Sequence, residues 1–404
     1  LDSDNNVWPL PYAFALNHTV EEIIDMCKGA ELDNERLLTF RRRIIEQLAL
    51  ADNEASQEWF LPQKMSLEQF LELSEIVFIG LHGGIGENGE LQQMLEERQI
   101  PFNGPGSSSS RVCMDKYVTG VLLEGLKDEG ISSAKKELVH TAKFRRSESD
   151  DYRVAWNELQ SSLSTSTVIV KPVGDGCSAG VARLYNSRDL QTYMHFLLKG
   201  APSIPSESLT EQHGIIELPT ESVEQLLFEE FVETDDVEVV ANDLRWEKKT
   251  GWIEITVGVL EENGVIRALN PSITVASGNV LSLEEKFQGG TGVNITPPPS
   301  EFVNEIAIQS AKRKIVKVAE TLGIQGYSRI DAFMNIDNGD LIVIEANSLP
   351  GLTAATVIYH QALAEKAPMF PLAFLEKLVD HAQERYTGES HDRVKKLVNV
   401  IPFK

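Results

Sequence analysis

Arg329-Ile-Asp-Ala-Phe-Met-Asn-Ile-Asp-Asn-Gly-Asp-Leu-Ile-Val-Ile-Glu-Ala-Asn-Ser-Leu-Pro-Gly351 is the stretch on which the reading of this chain turns. Two near-apolar runs, residues 330–336 and 341–344, flank Asp337-Asn338-Gly339, the pattern of a β-hairpin. Loop length decides which side chains meet. A two-residue Asn-Gly turn pairs Asp331 with Ala346 and sends Glu345 to the opposite face. A three-residue loop with Gly339 in the left-handed conformation pairs Ile336 with Asp340, and therefore Asp331 with Glu345. Glycine accepts positive φ without steric penalty, so Asp337-Asn338-Gly339 suits the second loop. Asn347, two residues on, shares the face of Glu345. Like charges directly opposed across a ladder, with Cβ atoms about 5 Å apart, repel. Two carboxylates and an amide oxygen suit a hard cation such as Mg²⁺, which removes the conflict. A solvated acid pair on an exposed sheet face is the alternative.

Working outward, the chain is 404 residues long, enough for two or three domains. Its 42% hydrophobic and 24% charged content are those of a globular protein. A net charge of −24 argues against nucleic acid or an anionic membrane as partner, though not against an anionic small ligand held by local Lys and Arg. The three cysteines, Cys27, Cys113 and Cys177, are far apart and lack CxxC spacing. Neither a disulfide framework nor a zinc site is expected, and a reducing compartment is. No apolar run reaches the roughly 18 residues of a membrane span. The first residue is Leu1, so a processed product or a fragment is expected.

Residues 20–27 and 37–50 carry helical patterns. Residues 75–81 read as a strand buried on both faces, followed by the Gly-rich 82–89 and a helix over 90–98, an α/β unit with a loop placed for ligands. The Gly/Pro/Ser-rich segment 100–110 marks a domain boundary. A helix is expected over 114–126, and strands over 167–172 and 181–185 on either side of a Gly-rich loop, 174–180. A strand–loop–strand is not a Walker loop, which opens a helix. Residues 200–222 read as an inserted surface loop. Further strands are expected over 225–232, 237–240 and 252–260, the last two antiparallel, and amphipathic helices over 302–322 and 372–384.

The loop 174–180 offers unhindered N–H groups for phosphate oxygens, with Lys171 just ahead of it. Lys116 begins a helix. Lys286 lies in a Gly-rich loop of about 15 residues, a length typical of lids. His82 is a binding-site candidate rather than a base, since no acidic partner stands at a telling spacing. Glu229-Glu230 differs from the other Glu pairs because an apolar run precedes it and Phe231 follows.

Taken in order, these motifs resemble the D-alanine–D-alanine ligases of the ATP-grasp superfamily. The resemblance runs from about residue 75 to 362. It rests on Leu81-His-Gly with Gly86-Glu-Asn-Gly-Glu-Leu-Gln92; Gly104-Pro-Gly and Met114-Asp-Lys116; Val168-Ile-Val-Lys-Pro172 with Gly176-Cys-Ser-Ala-Gly180; Glu229-Glu-Phe231; and Arg329-Ile-Asp331 with Glu345-Ala-Asn-Ser-Leu-Pro-Gly351. The resemblance implies an α/β and α+β protein: an incomplete Rossmann-like amino-terminal domain (1–110), a central ATP-grasp subdomain with the Gly-rich loop (111–228), and a carboxyl-terminal ATP-grasp subdomain with the metal site (229–404). It implies that Lys116, Lys171 and Gly176 contact the ATP phosphates and that Glu229, Glu230, Phe231 and Val232 bind adenine, by backbone and by the Glu229 side chain. Asp236, or else Glu238, is the implied ribose contact. Asp331, Glu345 and Asn347 are the implied ligands of two Mg²⁺ ions, with Mn²⁺ as substitute.

The implied reaction makes a peptidoglycan precursor. One D-alanine carboxylate attacks the γ-phosphate and becomes an acyl phosphate; a second D-alanine amine displaces the phosphate. Arg329 and the Gly351 N–H stabilise the oxyanion. His82, Lys286 and Thr356 hold substrate, and a lid at 288–292 excludes water. Ser178 and Cys177 are implied catalytic residues; Cys177 stands where the family has a Ser that links the loop to the lid and to the substrate-anchoring Glu, and Phe287 stands where many members have Tyr, so altered second-substrate choice or slow turnover is expected. The family's opening strand, Gly-Gly loop and substrate-anchoring Glu are not found. Partners are small molecules only, a homodimer is implied, and the compartment is cytoplasm or plastid stroma. The competing readings are an ATP-grasp ligase with another acceptor, and a non-catalytic nucleotide-binding half of a tandem protein.

Overall fold

The computed structural model describes residues 1–2, 4–10, 18–48, 62, 64–81, 83–173, 179–219, 222–240, 243–275 and 293–387. The chain divides into two compact units, Leu1–Glu75 and Ile76–Lys404.

In the first unit the two expected helical patterns fuse into one 29-residue helix, Val20–Leu48. Gly29 falls inside it with open space around it, and a lone glycine weakens a helix by only about 1 kcal/mol relative to Ala. A second helix, Leu67–Leu73, opens on a capping box in which Ser66 and Gln69 satisfy each other's backbone N–H. Val7 and Met65 form an antiparallel bridge.

Among the described residues the second unit carries two main sheets, each with its own core, and three two-stranded ribbons. The larger has five strands in the order Ile131–Ser133, Leu341–Asn347, Tyr327–Asn335, Trp252–Glu262, Val265–Ala268. Its first pair is parallel and the rest antiparallel. Helix Glu305–Thr321, capped by Asn304, buries Ala307, Ala311, Ile315 and Val318 at i, i+4, i+8 and i+11 against this sheet's Ile253, Ile255 and Val257. The smaller sheet has four antiparallel strands in the order Lys136–His140, Gln225–Glu230, Val168–Pro172, Ala182–Leu184. Val168, Val170, Leu226 and Phe228 face a core covered by helices Ser149–Leu163 and Ser187–Leu198. The alternate residues of the same strands, including Ile169, Lys171 and Glu229, point to the other face.

Four expectations are corrected. Residues 75–81 do not form a ladder strand: only Val77 bridges, to Phe102. The side chain of Asn103 substitutes for a strand neighbour, accepting from Ile79 N at 2.6 Å and donating to Ile79 O at 3.2 Å. Residues 200–222 are not a simple surface loop, because Ile204, Leu209 and Leu218 are buried in the second core. The helix expected over 114–126 breaks at Asp115, whose carboxylate caps a new helix, Lys116–Leu123, by accepting from Tyr117 N and Val118 N. Strands Asp236–Val240 and Trp252–Glu262 are not each other's partners; the former pairs with Asp243–Glu247 as a separate ribbon.

Candidate active site

The hairpin 327–347 places Asp331 opposite Glu345 and Arg329 opposite Asn347. The route differs from the three-residue loop read in the sequence. Asn335 N donates to Asp340 O and Gly339 N donates to Asn335 O, closing a four-residue loop. Gly339 is left-handed as expected, with φ +71°. Met334 therefore pairs with Leu341, and Ala332 with Val343. An uninterrupted ladder on that register would set Asp331 across from Ile344 and turn Glu345 away. A β-bulge between Ala332 and Asp331 inserts Ile344 as the extra residue and restores Glu345 to the face of Asp331. Gly339 has a second reason to be glycine: a Cβ there would lie 2.2 Å from Ala307 O.

On that face Asp331 is buried and fully engaged. Arg329 Nε and Nη2 donate to its two oxygens at 3.2 and 3.0 Å, Thr256 Oγ1 donates at 2.7 Å, and Asn347 Nδ2 donates at 3.2 Å. Glu345 Oε2 lies 3.6 Å from Lys116 Nζ. Burial, the largest influence on Arg329, disfavours its charge, but Asp331, Glu345 and Glu87 outweigh it and raise its pKa further. The guanidinium therefore stays charged across the working pH range. The donor set of two carboxylates and one amide on adjacent antiparallel strands fits a hard divalent cation, and its oxygens are balanced by Arg329 and Lys116.

A second charged cluster sits on the face of the four-stranded sheet away from its core. Lys136 pairs directly across from Glu229, which pairs across from Ile169. Glu229 is buried between two ammonium groups: Lys171 Nζ reaches Oε2 at 2.6 Å and Lys136 Nζ lies 2.9 Å from Oε1. Burial, the dominant influence, pushes the Glu229 carboxyl up, yet the two lysines together hold it below the ordinary range. The ladder ends at Glu230, whose carboxylate accepts from Lys135 N, leaving Phe231 and Val232 half-buried beyond it. Arg183 lies 3.4 Å from the Phe231 ring centre and 4.7 Å from that of Tyr185, so a guanidinium clamps Phe231 in place.

A small cavity beside the first of these clusters is lined by Glu87, Cys113, Met114, Lys116, Glu345, Ala346, Asn347 and Ser348. Glu87 ties two loops together, accepting from Gly83 N at 2.7 Å and from Leu349 N at 3.2 Å. Gly351 follows two residues later with open space at its α-carbon. Thr356 is half-buried and stands at the start of helix Val357–Leu363.

Arg329, Asp331, Glu345, Asn347 and Lys116 thus share one surface, and Lys171 and Glu229 another. Asp236 is not among them: it is exposed, on the separate ribbon, and pairs with Lys249 at 2.7 Å. His82, Gly176, Cys177, Ser178 and Lys286, with the expected lid at 288–292, lie outside the described residues. Three side chains were missed. Glu254 and Thr256 lie on the face of Asp331, Thr256 directly across from it. The alternation of Ile253, Ile255 and Val257 with Glu254 and Thr256 carried that signal. Lys136 had no such signal.

Comparisons with known proteins point to the same family that the motifs resemble. Residues 236–380 match the family model described as "D-ala D-ala ligase C-terminus". The D-alanine–D-alanine ligase of Halalkalibacterium halodurans is 26% identical over 334 residues, 83% of this chain and 90% of that protein. That of Carboxydothermus hydrogenoformans is 25% identical over 293 residues, 72% of this chain and 76% of that protein. Among solved structures, the D-alanine–D-alanine ligase from Coxiella burnetii superposes with a TM-score of 0.53 at 19% identity, covering 84% of this chain and 77% of that one. The Bacillus anthracis enzyme complexed with ATP gives 0.52 at 18% identity, over 80% and 83%. These structural likenesses establish the fold.

Proposed function

We infer that this chain, a member of the D-alanine–D-alanine ligase family of the ATP-grasp superfamily, is an ATP-dependent ligase that joins two D-alanine molecules through an acyl phosphate. The observation that carries the reading is the single face on which Arg329, Asp331, Glu345, Asn347 and Lys116 meet. Asp331, Glu345 and Asn347 are the residues that would hold Mg²⁺, which supplies charge neutralisation on the triphosphate when bound. Lys116 and Lys171 bind the phosphates as point charges. Glu229 and the backbone of 230–232 receive adenine, against the half-buried Ile169 and the clamped Phe231. Phosphoryl transfer asks mainly for positioning and charge, which is what these side chains offer.

In the second step the attacking amine produces a tetrahedral oxyanion. Arg329, permanently charged, and the Gly351 N–H face it, and the Glu87–Leu349 bond sets the loop that carries Gly351. Thr356 and Lys286 take the carboxylate of the second substrate; His82 lines the first; Gly176, Cys177 and Ser178 cover the phosphates. Glu254 competes with Asp236 for the ribose, because it lies two residues along the face from Thr256. Glu254→Gln is expected to raise the KM for ATP several-fold with little change in that for D-alanine, and Asp236→Asn to leave both near wild type. The reverse pattern would return the ribose to Asp236.

We further propose the division at 110/111 and 228/229, with Ile131–Ser133 crossing to pair with Leu341–Val343. A homodimer and a reducing compartment, cytoplasm or plastid stroma, belong to the same proposal. No helix among the described residues is long and apolar enough to cross a membrane. The deciding assay is phosphate release from ATP with D-alanine, L-alanine or D-lactate. D-alanine-dependent release supports the reading. Release with another acceptor alone moves the chain to a different ligase, and ATP binding without turnover makes it a nucleotide-binding module.

A further inference from the structure

We propose that Lys136 is a positioning residue that lets Lys171 leave Glu229 for the ATP phosphates without stranding a buried carboxylate. The inference rests on the reading above, in which Lys171 contacts those phosphates. As the structure stands, Lys171 is held by Glu229 at 2.6 Å. A lysine drawn to a phosphate must break that pair, and breaking a buried pair from one side leaves an uncompensated buried charge. Glu229 has a second partner. Lys136 Nζ lies 2.9 Å from the other carboxylate oxygen and donates to Lys116 O at 3.0 Å, so it is fixed from two sides.

The place for Lys136 is built. Helix Lys116–Leu123 carries Gly120 where the lysine stem crosses; a Cβ there would lie 2.6 Å from Lys136 Cε and 3.0 Å from Ser133 Oγ. Lys116 and Lys171 are buried and Lys136, half-buried as a residue, has a side chain only 7% exposed, so none is a solvated surface lysine. Burial, the largest influence on Lys136, lowers its pKa, and Glu229 opposes it. The pairing register alone sets Lys136 across from Glu229. Lys136 is thus the resident counter-ion and Lys171 the transferable one. When Lys171 moves, Oε2 of Glu229 is released to accept the exocyclic amino group of adenine while Lys136 keeps the carboxylate ionised.

The test is a double-mutant cycle on nucleotide affinity in the full chain, read by calorimetry with ATP and as the KM for ATP in turnover. Lys136→Met in the wild-type background is expected to weaken ATP by about ten-fold or more, with the KM for D-alanine unchanged. In a Glu229→Gln background, where no charge is stranded, Lys136→Met should weaken ATP by less than about two-fold. Lys136→Arg, which keeps the charge, should retain most of the affinity. Equal losses in both backgrounds, or an arginine variant as weak as the methionine one, would overturn the proposal. If Lys136→Met melts too low to assay, the arginine variant and the Glu229→Gln/Lys136→Arg pair still decide it. Absence of ATP binding by the wild-type chain would instead strike the underlying functional reading.

Discussion

Asp331→Asn is expected to lower kcat on the order of 10³-fold and to abolish saturable Mg²⁺ dependence in the millimolar range. The reasoning starts from the four donors on that carboxylate. Two come from Arg329, one from Thr256 and one from Asn347. A neutral amide keeps the volume but turns one acceptor into a donor facing the guanidinium. It also removes one of the two carboxylates proposed to hold the cation. Stability should fall by a few kcal/mol, since Arg329 is buried and loses its main counter-ion, with Glu345 offsetting part of the loss. A Mg²⁺ titration of D-alanine-dependent phosphate release, run beside a thermal melt, reads both effects. A variant that melts early yet keeps its kcat and Mg²⁺ response would show Asp331 to be only the partner of Arg329.

Arg329→Lys is the second large effect, with an opposite metal signature. Lysine keeps the charge but cannot reproduce the fork that places Nε on one oxygen of Asp331 and Nη2 on the other. The charge then moves relative to the oxyanion, and kcat should drop about 10²- to 10³-fold with the KM for ATP nearly unchanged. Apparent Mg²⁺ affinity should hold or rise, because Asp331 is less strongly claimed by a competing cation. Steady-state kinetics at several Mg²⁺ concentrations separates this from Asp331→Asn. A fall in Mg²⁺ affinity matching the fall in kcat would refute the oxyanion role and leave Arg329 as a support for the metal carboxylate.

Much of the site was legible because it depends on short-range periodicity. Period-two alternation on 327–335 and 341–347 puts Arg329, Asp331, Glu345 and Asn347 on one face once their register is known. Strands Val168–Pro172, which carries Lys171, and Ala182–Leu184 stand on either side of the Gly-rich segment in the chain, as the sequence suggests. Order along the chain was enough to bring out the family resemblance. Register itself was not legible. The loop closes with four residues rather than three, and the bulge at Ile344 supplies the missing step. Two departures from the reading cancel, and the expected pairing emerges for a reason the residues did not announce.

Local chemistry therefore indicated, from the chain alone, which residues alternate along the 327–347 hairpin, that its turn takes Gly339 left-handed, and which carboxylates, lysines and arginine are candidates for a nucleotide site. Tertiary structure alone decided that Asn103 stands in for a strand beside Ile79, that Ile204, Leu209 and Leu218 anchor an apparent surface loop, and that Lys136 meets Glu229. The reason is common to all three. The contacts join residues far apart in the chain, 24 positions for Ile79 and Asn103 and 93 for Lys136 and Glu229, through a register or a core that exists only after the sheets have formed, and no period in the sequence encodes the partner.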